Sequence, residues 1–318
     1  MYNKDPKPFL KWAGGKTQML PLFREYYPAA MEDGTINRYM EPCVGAGAVL
    51  FDLLSHYDLV EVTINDINKE LITCYRVVQR SVSRLVSILE EWQRIYNLMT
   101  HEEQERMYYE KRERMNCLKR KEIWGKEDEL LIAAHMLFLN RTCFNGLYRE
   151  NRKGDFNVPF NRIKSINFDF ENMYLAGEVL KNVRILCQDF ETLTPYVTSR
   201  TFIYVDPPYR PVNKAVAFTD FTKDAFDDKK QIRLGEWARE VDRLGAAILL
   251  DNSDPQCVDE EDRFFVDLYQ GFEIFHVSGN RNISSKLSGR GKKGDLLIKN
   301  AYLPRQSQIE CKTGNPPL

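Results

Sequence analysis

Several features typical of particular protein classes are missing from this sequence. The formal net charge is only −1 over 318 residues, so the chain as a whole lacks the basic charge of many nucleic-acid-binding domains. Its seven cysteines include no C-x-x-C pair and no Cys/His spacing suited to zinc, which disfavours a disulfide framework and predicts no metal site. There is no signal-peptide core and no run of about 18 apolar residues, so we expect a soluble, cytoplasmic protein without a membrane span.

Two nucleotide-binding motifs are also incomplete. Residues 15–17 (GKT) end like a phosphate-binding P-loop, but Leu10 occupies the position of that loop's first glycine. Near Gly45 and Gly47, Leu50 replaces the third glycine of the dinucleotide-binding motif. These departures argue against an NTPase and leave the pyrophosphate of NAD unspecified.

Charge is nevertheless segregated along the chain. Basic residues dominate 141–164 and 281–299, whereas 251–273 is strongly acidic. A charged run is most often a solvated face, but two basic runs with few acids favour contact with phosphates. The pattern therefore predicts a local surface for nucleic acid on a chain of balanced charge.

Short apolar runs that end in polar or glycine-rich turns recur and predict buried strands. Helical patterns separate several of them, as over 226–244, where Leu234, Trp237 and Val241 share one face. Strands that alternate with helices predict an α/β fold with a mostly parallel sheet. The predicted strands are Arg38–Met40, Val60–Ile64, Val183–Cys187, Thr201–Val205, Ala246–Leu250, Glu273–Val277 and Leu296–Ile298.

The middle of the chain has a different pattern. Residues 70–139 are almost entirely helical in periodicity, and the polar, turn-rich stretch 140–164 follows them. We therefore predict a discontinuous catalytic domain formed by 1–70 and 181–318. A helical target-recognition domain, 71–180, would interrupt it and carry a basic hairpin at 140–164.

A glycine-rich stretch from Glu41 to Val49 follows the first predicted strand and opens a helix. Gly45 and Gly47 would let the backbone approach a ligand closely, although a plain turn explains such a pair about as well. Asp66 ends the next strand about 20 residues later, where an acid can accept hydrogen bonds from ribose hydroxyls. This spacing predicts a cofactor that contains a nucleoside.

The segment Asp206-Pro207-Pro208-Tyr209 directly follows a predicted strand. Prolines restrict the backbone and donate no amide hydrogen, so the Asp206 carboxylate and the Pro207 carbonyl are presented as rigid acceptors. Two such acceptors would grip the hydrogens of an adenine amino group and stabilise the positive charge that develops on its nitrogen. Tyr209 would stack on the extruded base. The alternative is a turn with a packing tyrosine.

With these motifs, the chain resembles the Dam-type (D12 class) family of DNA adenine-N6 methyltransferases, which includes enzymes that protect GATC. The resemblance covers residues 9–300 and extends to motif order, with cofactor motifs first, target recognition next and the catalytic loop last. It implies a Rossmann-like sheet that binds S-adenosyl-L-methionine and a helical insertion that recognises DNA. It also implies methyl transfer to adenine N6 in double-stranded DNA, within GATC, by base flipping, with S-adenosyl-L-homocysteine as product.

The resemblance assigns three groups of residues. The catalytic group is Asp206, Pro207, Pro208 and Tyr209. The cofactor group is Trp12, Ala13, Gly14, Lys16, Glu41, Pro42, Gly45, Gly47, Asp66, Asp189, Phe190 and Asp206. The DNA-binding group is Arg141, Phe144, Asn145, Leu147, Arg149, Asn157, Pro159, Arg281, Ser284 and Ser285. Within it, Phe144 would wedge into the base stack and Arg149 would read guanine O6 and N7.

Two departures from the family pattern are Asp251, where a serine is expected, and Asn161, where glycine is usual. We expect neither to touch the chemistry, although both lie near loops that could affect the approach of DNA. The alternatives are an RNA amino-group methyltransferase and a DNA-binding regulator on a methyltransferase shell. For the enzyme we expect double-stranded DNA as partner, a cognate restriction endonuclease as genetic partner, and a monomer or weak dimer.

Overall fold

A seven-stranded sheet forms the centre of the protein in a computed structural model that describes residues 5–211, 226–279 and 293–302. Its order is β3-β2-β1-β4-β5-β7-β6. The strands are β1 (Arg38–Glu41), β2 (Glu61–Asn65), β3 (Val183–Leu186), β4 (Thr201–Val205), β5 (Ala247–Ser253), β6 (Glu273–Gly279) and β7 (Lys293–Lys299).

The pairing directions confirm the predicted α/β sheet. Strands β1 to β5 pair in parallel, and β7 runs antiparallel between β5 and β6. Strands β2 and β3 lie on one side of β1, whereas β4 and the later strands lie on its other side. The order therefore reverses between β1 and β4, and ligands of such sheets bind beyond the carboxyl ends of the strands at this reversal.

Side chains alternate between two apolar layers, as the pleat of a strand requires. Tyr204 and Leu249 belong to a large core on one face, whereas Ile203, Val205 and Leu250 belong to a smaller core on the other. The sheet is thus covered on both faces, which explains why its parallel strands are almost continuously hydrophobic.

The described residues include eight α-helices. The predicted helix over 226–244 is confirmed with its apolar face buried, and the predicted helical stretch 70–139 forms three successive helices. The helices are α1 (Leu20–Phe23), α2 (Ala48–His56), α3 (Lys69–Leu98), α4 (His101–Lys119), α5 (Lys126–Thr142), α6 (Phe170–Leu180), α7 (Asp228–Arg243) and α8 (Phe264–Leu268).

Local sequence explains the boundaries within the helical segment. The Asn68 side chain caps α3 by accepting from Leu71 N, and Thr100 forms a capping box with Glu103 at the start of α4. Inside α3, Ser81 has non-helical backbone angles and breaks the otherwise regular helix. The apolar side chains of this segment join those of the sheet in one continuous core. Among the described helices, none is long and apolar enough to cross a membrane.

Candidate active site and recognition hairpin

The glycine turn lies at the carboxyl end of β1, where the strand order reverses. Gly45 (φ +49°) and Gly47 (φ +72°) both adopt left-handed backbone angles, which glycine reaches without strain. Tyr75, on α3, donates a hydrogen bond to the Gly45 carbonyl at 3.0 Å. A Cβ atom on Gly47 would lie 2.6 Å from the Tyr75 hydroxyl, so a larger residue would force this contact apart.

Asp66 faces the same turn from the carboxyl end of β2. Its carboxylate accepts hydrogen bonds from Gly45 N at 3.1 Å and Asn68 N at 2.9 Å. Burial raises the pKa of Asp66 to about 6, although these two backbone bonds act in the opposite direction. Next to it, the Asn65 side-chain amide donates to Pro42 O and Gln188 O, both at 2.9 Å. One side chain thereby ties together the loops that follow β1, β2 and β3.

Trp12 forms a wall beside the glycine turn. A Cβ atom on Gly45 would lie 2.9 Å from Trp12 Cδ1, so the indole packs directly over the glycine backbone. The other neighbour of the indole is Tyr148, whose ring is stacked on it at 5.5 Å. A nucleoside cofactor fits these residues, because Gly45 leaves no room for a side chain beside Trp12, Trp12 provides an aromatic wall, and Asp66 is a half-buried acid. Ala13 and Gly14 are exposed on the adjoining turn.

Lys16 is the centre of a buried charged cluster, although it is a lysine with only 5% of its surface exposed. Its Nζ donates to Asp206 Oδ1 and to the Tyr209 hydroxyl, both at 2.7 Å. Asp251 Oδ2 lies 3.1 Å from the same Nζ. We call Lys16, Asp206, Tyr209 and Asp251 the catalytic-edge cluster, because Asp206 and Tyr209 follow β4 and Asp251 lies in the neighbouring strand β5.

Four carboxylates converge near the glycine turn. Burial raises the pKa of the Cys43 thiol well above its usual value, and the negative charges of Asp66, Asp206, Glu41 and Asp189 raise it further. Glu41 is itself buried and accepts from the Tyr39 hydroxyl at 2.8 Å, and burial raises its pKa strongly. The proposed ribose acid and the proposed catalytic acid therefore border one site.

Hydrogen bonds from neighbouring elements fix the loop that follows β4. The Pro208 carbonyl accepts from Gln231 Nε2 at 3.0 Å, on α7. Beyond the loop, Arg210 N donates to Asn252 Oδ1 at 3.2 Å, and Ser253 Oγ donates to the Arg210 carbonyl at 2.6 Å. Pro207 is buried and Pro208 exposed. The loop is thus held from both sides in addition to the stiffness of its prolines.

Asp189 and Phe190 follow β3, as the resemblance requires. Phe190 is buried against Trp237. The Asp189 carboxylate accepts from Glu191 N at 3.1 Å and forms an ion pair with Arg233 at 3.1 Å. Asp189 is thus engaged with the opposite layer of helices as well as lying near Cys43.

The recognition hairpin is joined to the N-terminal motif by one buried amide. Asn140 accepts from Lys11 N at 2.8 Å and donates to the carbonyls of Lys11 at 2.9 Å and Gly146 at 2.8 Å. Phe144 is 42% exposed at the tip of the turn. The turn that carries Phe144, a predicted base-stack residue, is therefore linked by Asn140 to the start of the predicted cofactor motif.

Arg149 lies on the exposed side of this hairpin. Its Nε donates to Asn157 Oδ1 at 2.8 Å. The two arms of the hairpin also pair at two isolated antiparallel bridges, Cys143↔Phe160 and Glu150↔Phe156. The side-chain contact fixes the direction of a guanidinium that would otherwise have many rotamers.

The other residues predicted to bind DNA have varied environments. Asn145 is exposed in a left-handed conformation, Leu147 packs on the core, and the Pro159 carbonyl accepts from Phe144 N at 2.9 Å. The Arg141 guanidinium lies 5.8 Å from the Phe168 ring, and burial lowers its pKa. The remaining three predicted residues lie outside the described residues; they are Arg281, Ser284 and Ser285.

One expectation about the site was wrong. Asp251 was expected not to touch the chemistry, but its carboxylate pairs with Lys16 beside Asp206. The sheet register explains this, since Val205 pairs with Leu250 and the two aspartates therefore follow side by side. The available signal was an acid at the end of a strand that neighbours β4. Sequence reasoning also missed Tyr148, because nothing local indicates its stacking on Trp12.

A second cluster around a buried lysine connects α4 with the start of α3 and with the hairpin. Lys119 Nζ lies 2.7 Å from the Tyr148 hydroxyl, 3.1 Å from Glu70 and 2.5 Å from Glu150. We call these four residues the hinge cluster, because α4, α3 and the recognition hairpin meet there. Sequence analysis did not single out this cluster.

The strand order, the glycine turn with its acid and the Asp-Pro-Pro-Tyr loop together define a Rossmann-like methyltransferase. A sequence model of the D12 class of N6 adenine-specific DNA methyltransferases matches residues 12–283. The chain belongs to this family, and it is an adenine-specific DNA methyltransferase.

Individual relatives match along nearly the whole chain. The type II methyltransferase M.MjaIII of Methanocaldococcus jannaschii is 45% identical, over 92% of this chain and 99% of that protein. The type II methyltransferase M1.LlaDCHI of Lactococcus lactis subsp. cremoris is 33% identical, over 92% and 95%. A DNA adenine methylase of Vibrio cholerae is 28% identical, over 92% and 96%.

Proposed function

We propose that this enzyme transfers the methyl group of S-adenosyl-L-methionine to adenine N6 within GATC of double-stranded DNA, after flipping the adenine out of the duplex. The observation that carries the proposal is the catalytic-edge cluster, in which Asp206 and Tyr209 meet beside the glycine turn and Asp66. The names of the relatives as type II methyltransferases support a role beside a cognate restriction endonuclease.

The residues present fit the cofactor. Trp12 and Gly45 form a close aromatic cradle, and the Asp66 carboxylate would accept the ribose hydroxyls. Glu41, Pro42, Gly47 and Phe190 complete this side of the site. When bound, S-adenosyl-L-methionine would supply an electrophilic methyl on sulfur and leave as S-adenosyl-L-homocysteine.

The chain's own groups would prepare the adenine. The Asp206 carboxylate and the Pro207 carbonyl would accept the two N6 hydrogens, which makes the nitrogen more tetrahedral and stabilises its developing positive charge. Tyr209 would hold the base by stacking, which offsets part of the energy of extrusion. In the structure Lys16 donates to Asp206 Oδ1, so an amino group that binds this oxygen would compete with the Lys16 ammonium.

The hairpin 140–164 would position the duplex within a target-recognition unit over 71–180. Phe144 is 42% exposed and would enter a base step, and Arg149 suits guanine O6 and N7. Exposed Arg152 and Lys153 add basic charge for phosphates.

A labelling experiment tests the whole proposal. The purified protein would be incubated with methyl-labelled cofactor and either a GATC duplex, a duplex with the same bases in scrambled order, or an RNA hairpin. We expect label only in the GATC duplex, recovered as N6-methyladenine after digestion. Equal labelling of the scrambled duplex would reject the specificity, and labelling of the RNA alone would reject the substrate.

A further inference from the structure

We propose that Asp251 is a positioning residue that receives the Lys16 ammonium when the adenine amino group takes its place on Asp206. The inference rests on the proposed methyl transfer. Its starting observation is that Lys16 Nζ lies between the two carboxylates, 2.7 Å from Asp206 Oδ1 and 3.1 Å from Asp251 Oδ2.

The sheet places the two carboxylates on the same side. Val205 and Leu250 are register partners in parallel strands, so Asp206 and Asp251 emerge next to each other. Tyr204 and Leu249 face the large core, and by alternation the aspartates two positions later face that layer as well. Lys16 reaches both from the N-terminal motif.

The two carboxylates differ in exposure. The Asp206 side chain is 20% exposed, whereas that of Asp251 is 0% exposed. Among the described residues, none donates a hydrogen bond with good geometry to either oxygen of Asp251. The charge of Asp251 is balanced there by the ion pair with Lys16. A buried charge of this kind is costly without an opposite charge.

This asymmetry has a consequence for substrate entry. Adenine N6 and Lys16 Nζ are both N–H donors, and an amino group that approaches Asp206 Oδ1 would compete there with the Lys16 ammonium. A displaced ammonium that is 94% shielded from water needs another acceptor. Asp251 supplies that acceptor within the same cluster, and the Lys16 ammonium can shift toward it without leaving the site.

The test uses Asp251→Asn, which keeps the shape and removes the charge. Lys16 then has a weaker alternative to Asp206, and the adenine amino group has to compete with a more firmly held ammonium. The matched control is Asp254→Asn, a nearby carboxylate with 4% exposure that accepts from His276 Nδ1 at 2.8 Å. Thermal melting and affinity for S-adenosyl-L-homocysteine would verify that both variants fold.

Turnover would be measured on a duplex with adenine at the target position. Binding would be measured on that duplex and on one that carries purine there, which lacks the amino group. We expect Asp251→Asn to lower kcat/KM by on the order of 10- to 100-fold, as for a misplaced catalytic group. We also expect it to weaken binding of the adenine duplex relative to the purine duplex, while Asp254→Asn leaves this ratio unchanged. In the Asp251→Asn background, Lys16→Met should restore the ratio, because the competing ammonium is gone.

Several outcomes would overturn the inference. They are an Asp251→Asn enzyme with native kcat/KM, equal weakening of both duplexes, and no recovery of the ratio in the double variant. If Asp251→Asn does not fold, Asp251→Ser gives the same comparison. An unmodified enzyme that fails to label duplex DNA would reject the proposed function itself, which separates the two failures.

Discussion

The catalytic-edge cluster and the hinge cluster have almost the same composition. Each has a buried lysine between two carboxylates and a tyrosine hydroxyl, with Lys16 in one and Lys119 in the other. They differ in placement. The first lies at the reversal of the strand order and includes an acid that is 20% exposed, whereas the acids of the second are 9% and 13% exposed where α3, α4 and the hairpin meet.

This difference shows that a buried ion cluster does not by itself indicate catalysis. Buried pairs are weak evidence for net stability, but removal of one partner leaves an uncompensated charge in either cluster. On the proposed mechanism, what separates the two is that a substrate amino group would compete with Lys16 for Asp206. The hinge cluster instead links the hairpin to α3 and α4, and Tyr148 extends it to Trp12 by stacking.

The largest expected effect concerns the catalytic edge. Asp206→Ala should lower kcat by about 100- to 1,000-fold or more, because a preorganised group that stabilises developing charge is lost. DNA affinity, measured by fluorescence anisotropy, should stay close to the native value, since the hairpin is untouched. Native turnover in this variant would show that Asp206 has no role in the mechanism. The proposed distinction between the two clusters would then be wrong.

The matching change in the hinge cluster should act on stability. Lys119→Met leaves Glu70 and Glu150 buried without their cation, and we expect the free energy of unfolding to fall by about 3–5 kcal/mol. Urea denaturation would measure this, and Glu150→Gln in the same chain should recover part of the loss. A Lys119→Met protein of native stability would contradict the structural role.

Arg149→Ala should have a smaller and more selective effect. Loss of a bidentate guanine contact should reduce discrimination at one base pair by about 1–3 kcal/mol. Binding would be compared on GATC and on duplexes with single substitutions. Arg152→Ala is the control, because an exposed phosphate contact should weaken all duplexes alike. The same uniform loss for Arg149→Ala would make it a phosphate ligand.

The smallest effect is a pH dependence of cofactor binding. The Asp66 pKa is raised to about 6, so its carboxyl is protonated below that pH, whereas ribose hydroxyls are best accepted by the ionised form. Below pH 6 binding would therefore release a proton, and affinity should fall about tenfold per pH unit there and level off at higher pH. Titration calorimetry with S-adenosyl-L-homocysteine would test this, and a flat profile in Asp66→Asn would assign it.

Much of the fold was predictable because its signals are local. Apolar runs with polar ends predicted all seven strands, and Thr201–Val205 has the predicted bounds. Strand β7 was predicted over 296–298 but spans Lys293–Lys299. Its ends are polar and are held by antiparallel pairing to β5 and β6. Ser81 was equally unpredictable, because no proline or glycine marks the break in α3.

The sequence by itself determined the chemical groups of this protein. Prolines after a strand, glycines that tolerate left-handed angles and an acid at a strand end carry their meaning within a few residues, because backbone restriction and hydrogen-bonding capacity are local properties. Only the tertiary structure decided which charged groups lie close enough to form ion pairs. Asp251 stands 45 positions beyond Asp206, and Lys119 is distant from Glu70 and Glu150, so strand order and helix packing alone bring them within reach of a buried ammonium.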